Sequence, residues 1–196
     1  MGQSVPPDMR ALHARAAHRF AAHVARIAPD QWQMSTPCSD WTVRALVDHV
    51  VRWNTLMPDF LAGLSVQQMA APFARDVLGD DPAAAATRSA DAAATAFATP
   101  AAMDAVVHHP FGELPAAYVL YMRLFDNTIH DWDLMQALGI QEPIDPEILS
   151  VLYPAALRER DQIRASGHFG PAEMPVATDA DVEARLLAIL GRRATG

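Results

Sequence analysis

The segment AAYVLYMRLFDNTIHDWDLMQAL, residues 116–138, constrains this chain more than any other feature. At 100° per residue it is apolar nearly all the way round, so only a helix with neighbours on most sides can cover it. Pro115 opens this helix and Gly139 suits the position just past its end. The helix is therefore expected to be central, or to lie at a contact between subunits. Within it Asp126 and His130 stand one turn apart and project the same way. Val119, Met122, Asp133 and Ala137 share their side, and Tyr121, Leu124 and Met135 take the opposite one. An ionised carboxylate on such a face needs a partner, because burying it alone is costly.

The rest of the chain supplies the neighbours. Leu12, Ala16, Phe20, Val24 and Ile27 recur at helical spacing and predict a first helix over 7–28, with Arg15, Arg19 and Arg26 on another face. A loop, APDQWQMSTPCSD, follows, and Thr42 is placed to cap a second helix that begins VRALVDHVVRW. Its inward stripe is Leu46, His49, Val50, Trp53 and Met57. Residues 65–82 read as an irregular, polar connection, and PAAAATRSADAAATAFA reads as a third helix with Pro82 at its first position. Ala105 to His108 predict a short strand that Phe111 and Gly112 turn back into a hairpin. After the long fourth helix, DPEILSVLYPAALRER and DADVEARLLAILGRR predict two more, separated by the Gly/Pro-containing loop ASGHFGPAEMPVAT. No period of 20 to 50 residues recurs, so repeat architectures are excluded. The reading is an all-α, single helical domain over residues 1–196.

Composition narrows the function. With 51% hydrophobic residues in 196, one sizeable core is expected. The net charge is -8 and the arginines are scattered, which argues against a nucleic-acid partner. A single cysteine, Cys38, excludes an internal disulfide framework. The first twenty residues lack the apolar run of a signal peptide, and no stretch approaches the roughly 18 apolar residues of a membrane span. A cytoplasmic protein without a membrane partner is the expectation.

The chemistry concentrates on His49, Asp126 and His130. Two imidazoles and a carboxylate suit a divalent metal such as zinc, nickel or iron, and three protein ligands leave open positions for water or substrate. Spacing alone also fits a hydrogen-bonded core histidine beside a local i,i+4 ion pair. The two Glu-x-x-His motifs of carboxylate-bridged di-iron bundles are absent. Asp133, three residues after His130, is placed either to orient its ring from outside the ligand set or to make a local helix-end hydrogen bond or ion pair. Trp53 and Met122 are read as cavity lining, and Trp41 and Trp132 as walls. Cys38 is read as a small buried loop side chain with no base evident nearby. His13, His18 and His23 lie 140° apart in succession, share no face, and are read as solvated. His108, His109 and His168 are read as surface residues.

The segment TPCSDWTVRALVDHVV resembles the signature of the DinB-like metal-binding bundles related to the mycothiol-dependent maleylpyruvate isomerase metal-binding domain. In that signature a Thr-Pro-Cys-x-x-Trp-Thr-Val-Arg run leads into a metal-ligand histidine, here His49. DNTIHDWDL is similar to the second motif of the family, and FGPAEMPVATDADVEARLLAILGRR to the tail of its short actinobacterial branch. The resemblance implies a four-helix bundle in which His49, Asp126 and His130 ligate the metal, to which the residue patterns add C-terminal helices and a short β-hairpin. Relatives often carry histidine or glutamate where this chain has the shorter Asp126. A divalent ion with two neutral imidazoles and one carboxylate keeps a charge of about +1 and favours thiolate or hydroxide as a further ligand. The resemblance alone implies that the thiol is mycothiol. The expected partners are a small-molecule thiol and an electrophilic substrate, with a homodimer through the fourth helix, and the expected activity is thiol transfer or thiol-assisted isomerisation. A non-catalytic metal- or ligand-binding bundle and a metal-assisted hydrolase with Asp133 as base are the alternatives.

Overall fold

The protein is described by a computed structural model covering residues 8–38, 40–166 and 173–193. The described chain divides into two compact units, Asp8–Ile140 and the residues from Gln141 onward.

In the first unit, α1 (Met9–Val24), α2 (Val43–Leu61), α4 (Pro82–Phe97) and α5 (Ala116–Leu138) form a four-helix bundle. Each of α1 and α2 packs against both α4 and α5. Local chemistry sets the ends. The Asp8 carboxylate accepts the Arg10 N–H at α1, Thr42 Oγ1 accepts the Ala45 N–H at α2, and Asp81 accepts the Ala84 N–H at α4. Gly139 ends α5 at φ 70°, with Gly139 N–H donating to Gln136 O and Ile140 N–H to Met135 O. That pair of hydrogen bonds closes the helix as a Schellman motif, a left-handed turn that glycine adopts without steric cost.

Residues 65–82 differ from expectation. They contain a further helix, α3 (Val66–Phe73), whose start is a reciprocal capping box between Ser65 and Gln68. The hairpin pairs β1 (Val106–His109) with β2 (Gly112–Pro115) in antiparallel register, His109 opposite Gly112. Its turn is Pro110-Phe111, one residue earlier than the sequence implies.

The core has two centres. One gathers Phe20, Val24, Val43, Leu46, Val47, Val50 and Leu134. The other gathers Met57, Phe60, Met69, Phe97, Val107 and Leu120 around α2, α4 and the hairpin. The all-round apolarity of α5 is accounted for by burial from Leu124 to Met135 on nearly every side.

The second unit holds α6 (Pro146–Arg158), α7 (Arg160–Ser166) and α8 (Val182–Ile189), with α6 against α8. The helix expected through Arg160 is broken at Glu159, whose backbone leaves the helical region. Glu183 accepts the Ile144 N–H at 2.9 Å, and Arg164 pairs with Glu173 at 2.9 Å. His168 lies outside the described residues. No helix among the described residues is long and apolar enough to cross a membrane.

Candidate metal centre

The loop between α1 and α2 builds one wall of the site. Thr36 Oγ1 donates to the carbonyls of Cys38 and Trp41, Trp41 N–H donates to Cys38 O, and Val43 N–H donates to Met34 O. These bonds lay the Trp41 ring over both His49 and His130, at centroid distances of 4.7 and 5.3 Å.

The packing of α2 on α5 brings the three sequence candidates together. His49 Nε2 lies 3.1 Å and His130 Nε2 3.4 Å from Asp126 Oδ1. The imidazoles meet edge to face, with centroids 5.1 Å apart. One donor atom from each of the three residues falls within 4.8 Å of the others. Nitrogen and oxygen ligands about 2.0–2.2 Å from a tetrahedral zinc are separated by edges of about 3.3–3.5 Å. The donor types and spacing fit a divalent ion. The His49 and Asp126 side chains keep 26% and 24% of their surface, so the pocket is reachable from solvent.

Asp126 is held from behind by a residue that sequence reading passed over. Arg123 Nη1 donates to Asp126 Oδ2 at 2.7 Å, and Arg123 Nη2 donates to Asn54 Oδ1 at 2.9 Å. Asn54 Nδ2 donates to Asn127 Oδ1 at 2.9 Å, and Asn127 Nδ2 donates to the Arg123 carbonyl at 2.7 Å. The signal was the i,i+3 spacing of Arg123 and Asp126, together with an arginine inside an otherwise apolar helix. One carboxylate oxygen is thus engaged by the guanidinium while the other faces the imidazoles.

The electrostatics follow. Burial disfavours the charged Asp126 carboxylate, but Arg123, His49 and His130 overcome it and hold the group well below the usual carboxylate range. Burial likewise disfavours imidazolium at His130, yet Asp126, with acceptors on Asp126 and Asp133 and the Cys38 sulfur, raises it well above the ordinary histidine value. The pocket between these residues favours positive charge.

His130 Nδ1 lies 3.1 Å from Oδ2 of the fully buried Asp133. Cys38 departs from expectation. Its Sγ is 3.3 Å from Asp133 Oδ2 and 3.8 Å from His130 Nδ1, so it borders the site, because the loop folds back over the start of α2. Trp53 packs instead with Phe60, Phe73 and His109, and Met122 is half-buried one turn before Asp126 on α5.

Other histidines also differ. His13 and His23 are buried rather than solvated, since α1 is covered by α4 on one side and α5 on the other. His23 Nδ1 lies 2.6 Å from Asp131 Oδ1, and Arg19 Nε lies 3.0 Å from Asp131 Oδ2. His18 is the exposed member and meets Asp91. His109 is buried beneath Phe111 and stacked on Trp53, because the hairpin turns that strand face inward, while His108 reaches Glu113 across the hairpin.

The solved mycothiol-dependent maleylpyruvate isomerase has a similar fold, with a TM-score of 0.59 at 17% identity over 79% of this chain and 71% of that one. Two Mycobacterium tuberculosis proteins, the uncharacterized proteins MT0763 (strain CDC 1551 / Oshkosh) and Rv0738 (strain ATCC 25618 / H37Rv), are 35% identical over 94% of this chain and 98% of their own length. The mycothiol maleylpyruvate isomerase N-terminal domain model matches residues 13–135, a span that runs from the first bundle helix through the helices that carry His49 and His130. With that match covering the bundle and the likeness to the two mycobacterial proteins running nearly end to end, the chain belongs to the mycothiol maleylpyruvate isomerase N-terminal domain family.

Proposed function

We propose that His49, Asp126 and His130 hold a divalent metal, zinc foremost, and that the protein uses it to engage mycothiol or a related small thiol in transfer to, or isomerisation of, an electrophilic substrate. The observation that carries this reading is the convergence of two imidazole nitrogens on one oxygen of Asp126, at 3.1 and 3.4 Å, from two separate helices. The family's name supports mycothiol as the thiol in this reading.

When bound, the ion supplies Lewis acidity that lowers the pKa of a thiol brought to it. The chain's own residues do the rest. Asp133 accepts the Nδ1 proton of His130, which leaves the Nε2 lone pair facing the site. Arg123 occupies Asp126 Oδ2, so the carboxylate presents Oδ1 alone and its charge is largely balanced. With the ion bound, its charge exceeds what Asp126 offsets, so the pocket would keep a positive character that attracts an anionic sulfur. Trp41 covers both imidazoles and excludes water from that side. The partly exposed edges of His49 and Asp126 give the substrate its entry.

The test is elemental analysis of the purified protein and its His49→Ala variant, followed by calorimetric titration of the metal-loaded protein with mycothiol. Stoichiometric metal lost in the variant, with heat on thiol addition and a changed visible spectrum in a cobalt-substituted sample, supports the reading. Metal content unaffected by the substitution, or no heat and no spectral change, overturns it.

A further inference from the structure

The His130 ring has two edges, and only one is used by the site above. On the other edge Nδ1 lies 3.1 Å from Asp133 Oδ2 and 3.8 Å from Cys38 Sγ, while Sγ and Oδ2 are 3.3 Å apart. These three donor atoms, like the first set, fall within 4.8 Å of one another. Zinc-like bonds of about 2.0 Å to nitrogen or oxygen and about 2.3 Å to sulfur put tetrahedral ligand edges at about 3.3–3.5 Å. The cluster, with edges of 3.1, 3.3 and 3.8 Å, lies within a few tenths of an ångström of those dimensions.

The geometry points to a second cation seat, Cys38–His130–Asp133, which takes a soft, thiophilic divalent ion and competes with the first seat for His130. Three features support it. The donor set is softer than that of His49, Asp126 and His130, because a thiolate replaces an imidazole, and thiolate selects zinc-like and softer ions. The seat is preorganised: Asp133 is wholly buried with Oδ2 facing both other donors, and the backbone around Cys38 is pinned through its carbonyl by Thr36 Oγ1 and Trp41 N–H. The Cys38 side is partly exposed, so an ion can reach it.

Binding there releases the sulfur proton and the Nδ1 proton of His130 to solvent, so that metal bonds replace both, and the ring keeps its remaining proton on Nε2. A neutral imidazole offers one lone pair, so His130 serves one seat at a time. A soft ion at Cys38 then withdraws a ligand from the first seat and switches it off. That antagonism rests on the proposed function, whereas the second seat stands without it.

Cadmium titration of the full chain tests both. Cys38 is the only cysteine, so any sulfur-to-metal charge-transfer absorption reports on it alone. The expected result is a near-ultraviolet band on adding cadmium to the wild type and to His49→Ala, and loss of the band in Cys38→Ser and His130→Ala. Cadmium also slows alkylation of Cys38 by iodoacetamide in His49→Ala, a second reading from a protein whose first seat is already disabled. Circular dichroism checks that each variant is folded. If His49→Ala loses the band and the protection, the second seat is overturned while the first stands. If Cys38→Ser releases all metal and His49→Ala none, the proposed function falls and the second seat survives. Absence of any band or protection in the folded wild type overturns the second seat outright.

Discussion

Replacing His13 with leucine isolates the cost of an imidazole in the core. His13 is fully buried on α1, edge-on to Phe97 with centroids 5.1 Å apart, and neither ring nitrogen meets a hydrogen-bond partner among the described residues. Burial first, then the charges of Arg123 and His18, push its pKa from 6.5 down to about 3. Above pH 6.5 the ring is neutral in both folded and unfolded chains and contributes no pH dependence. Between 6.5 and about 3 the unfolded chain binds a proton that the folded chain refuses, so stability falls as the pH falls. At about pH 4.5 that single linkage removes about 2.7 kcal/mol, and below about pH 3 it levels off at about 5 kcal/mol. Leucine has nothing to titrate. It also relieves two unsatisfied ring nitrogens, for a gain of about 1–3 kcal/mol at neutral pH. Urea unfolding with a chelator present, followed by circular dichroism at about pH 7 and about pH 4.5, measures both effects. The variant's advantage is expected to widen by about 2–3 kcal/mol at the lower pH. Every other titrating group is common to the two proteins and cancels in the comparison. Parallel pH profiles would refute the argument, because they would mean that the imidazole finds a partner for its proton in the folded core.

Three further outcomes are expected. Arg123→Met frees Asp126 Oδ2 and is expected to weaken metal binding about 10- to 100-fold in a chelator competition, with Arg123→Lys recovering part of the loss. Asp131→Ala removes the carboxylate that the buried His23 and the partly buried Arg19 share and is expected to cost about 3–5 kcal/mol in denaturant unfolding, without lowering metal stoichiometry. Gly139→Ala forces a Cβ into a left-handed turn at φ 70° with open space around it, so the cost is conformational alone, about 1–2 kcal/mol, and Gly139→Asn is expected to lose less.

The sequence by itself determined the local architecture. The long apolar α5, its end at Gly139, the Thr42 cap and the hairpin all come from patterns a few residues wide, in which periodicity, capping chemistry and turn propensity act over one or two turns. The one-turn spacing of Asp126 and His130 was legible for the same reason, and so was the inward place of His49. The capping box of α3 was equally legible at Ser65 and Gln68, but the surrounding prolines and polar residues masked it. Only the tertiary structure decided that His49 meets Asp126, that α1 hides His13 and His23 by being covered on two sides, and that Cys38 and Trp41 fold back onto His130. Arg123 and Asp126 are neighbours along α5, but the Asn54 that completes their network arrives from another helix. Those contacts depend on how distant helices and a loop are laid against one another. That arrangement is a property of the packed core as a whole, and no short window of residues encodes it.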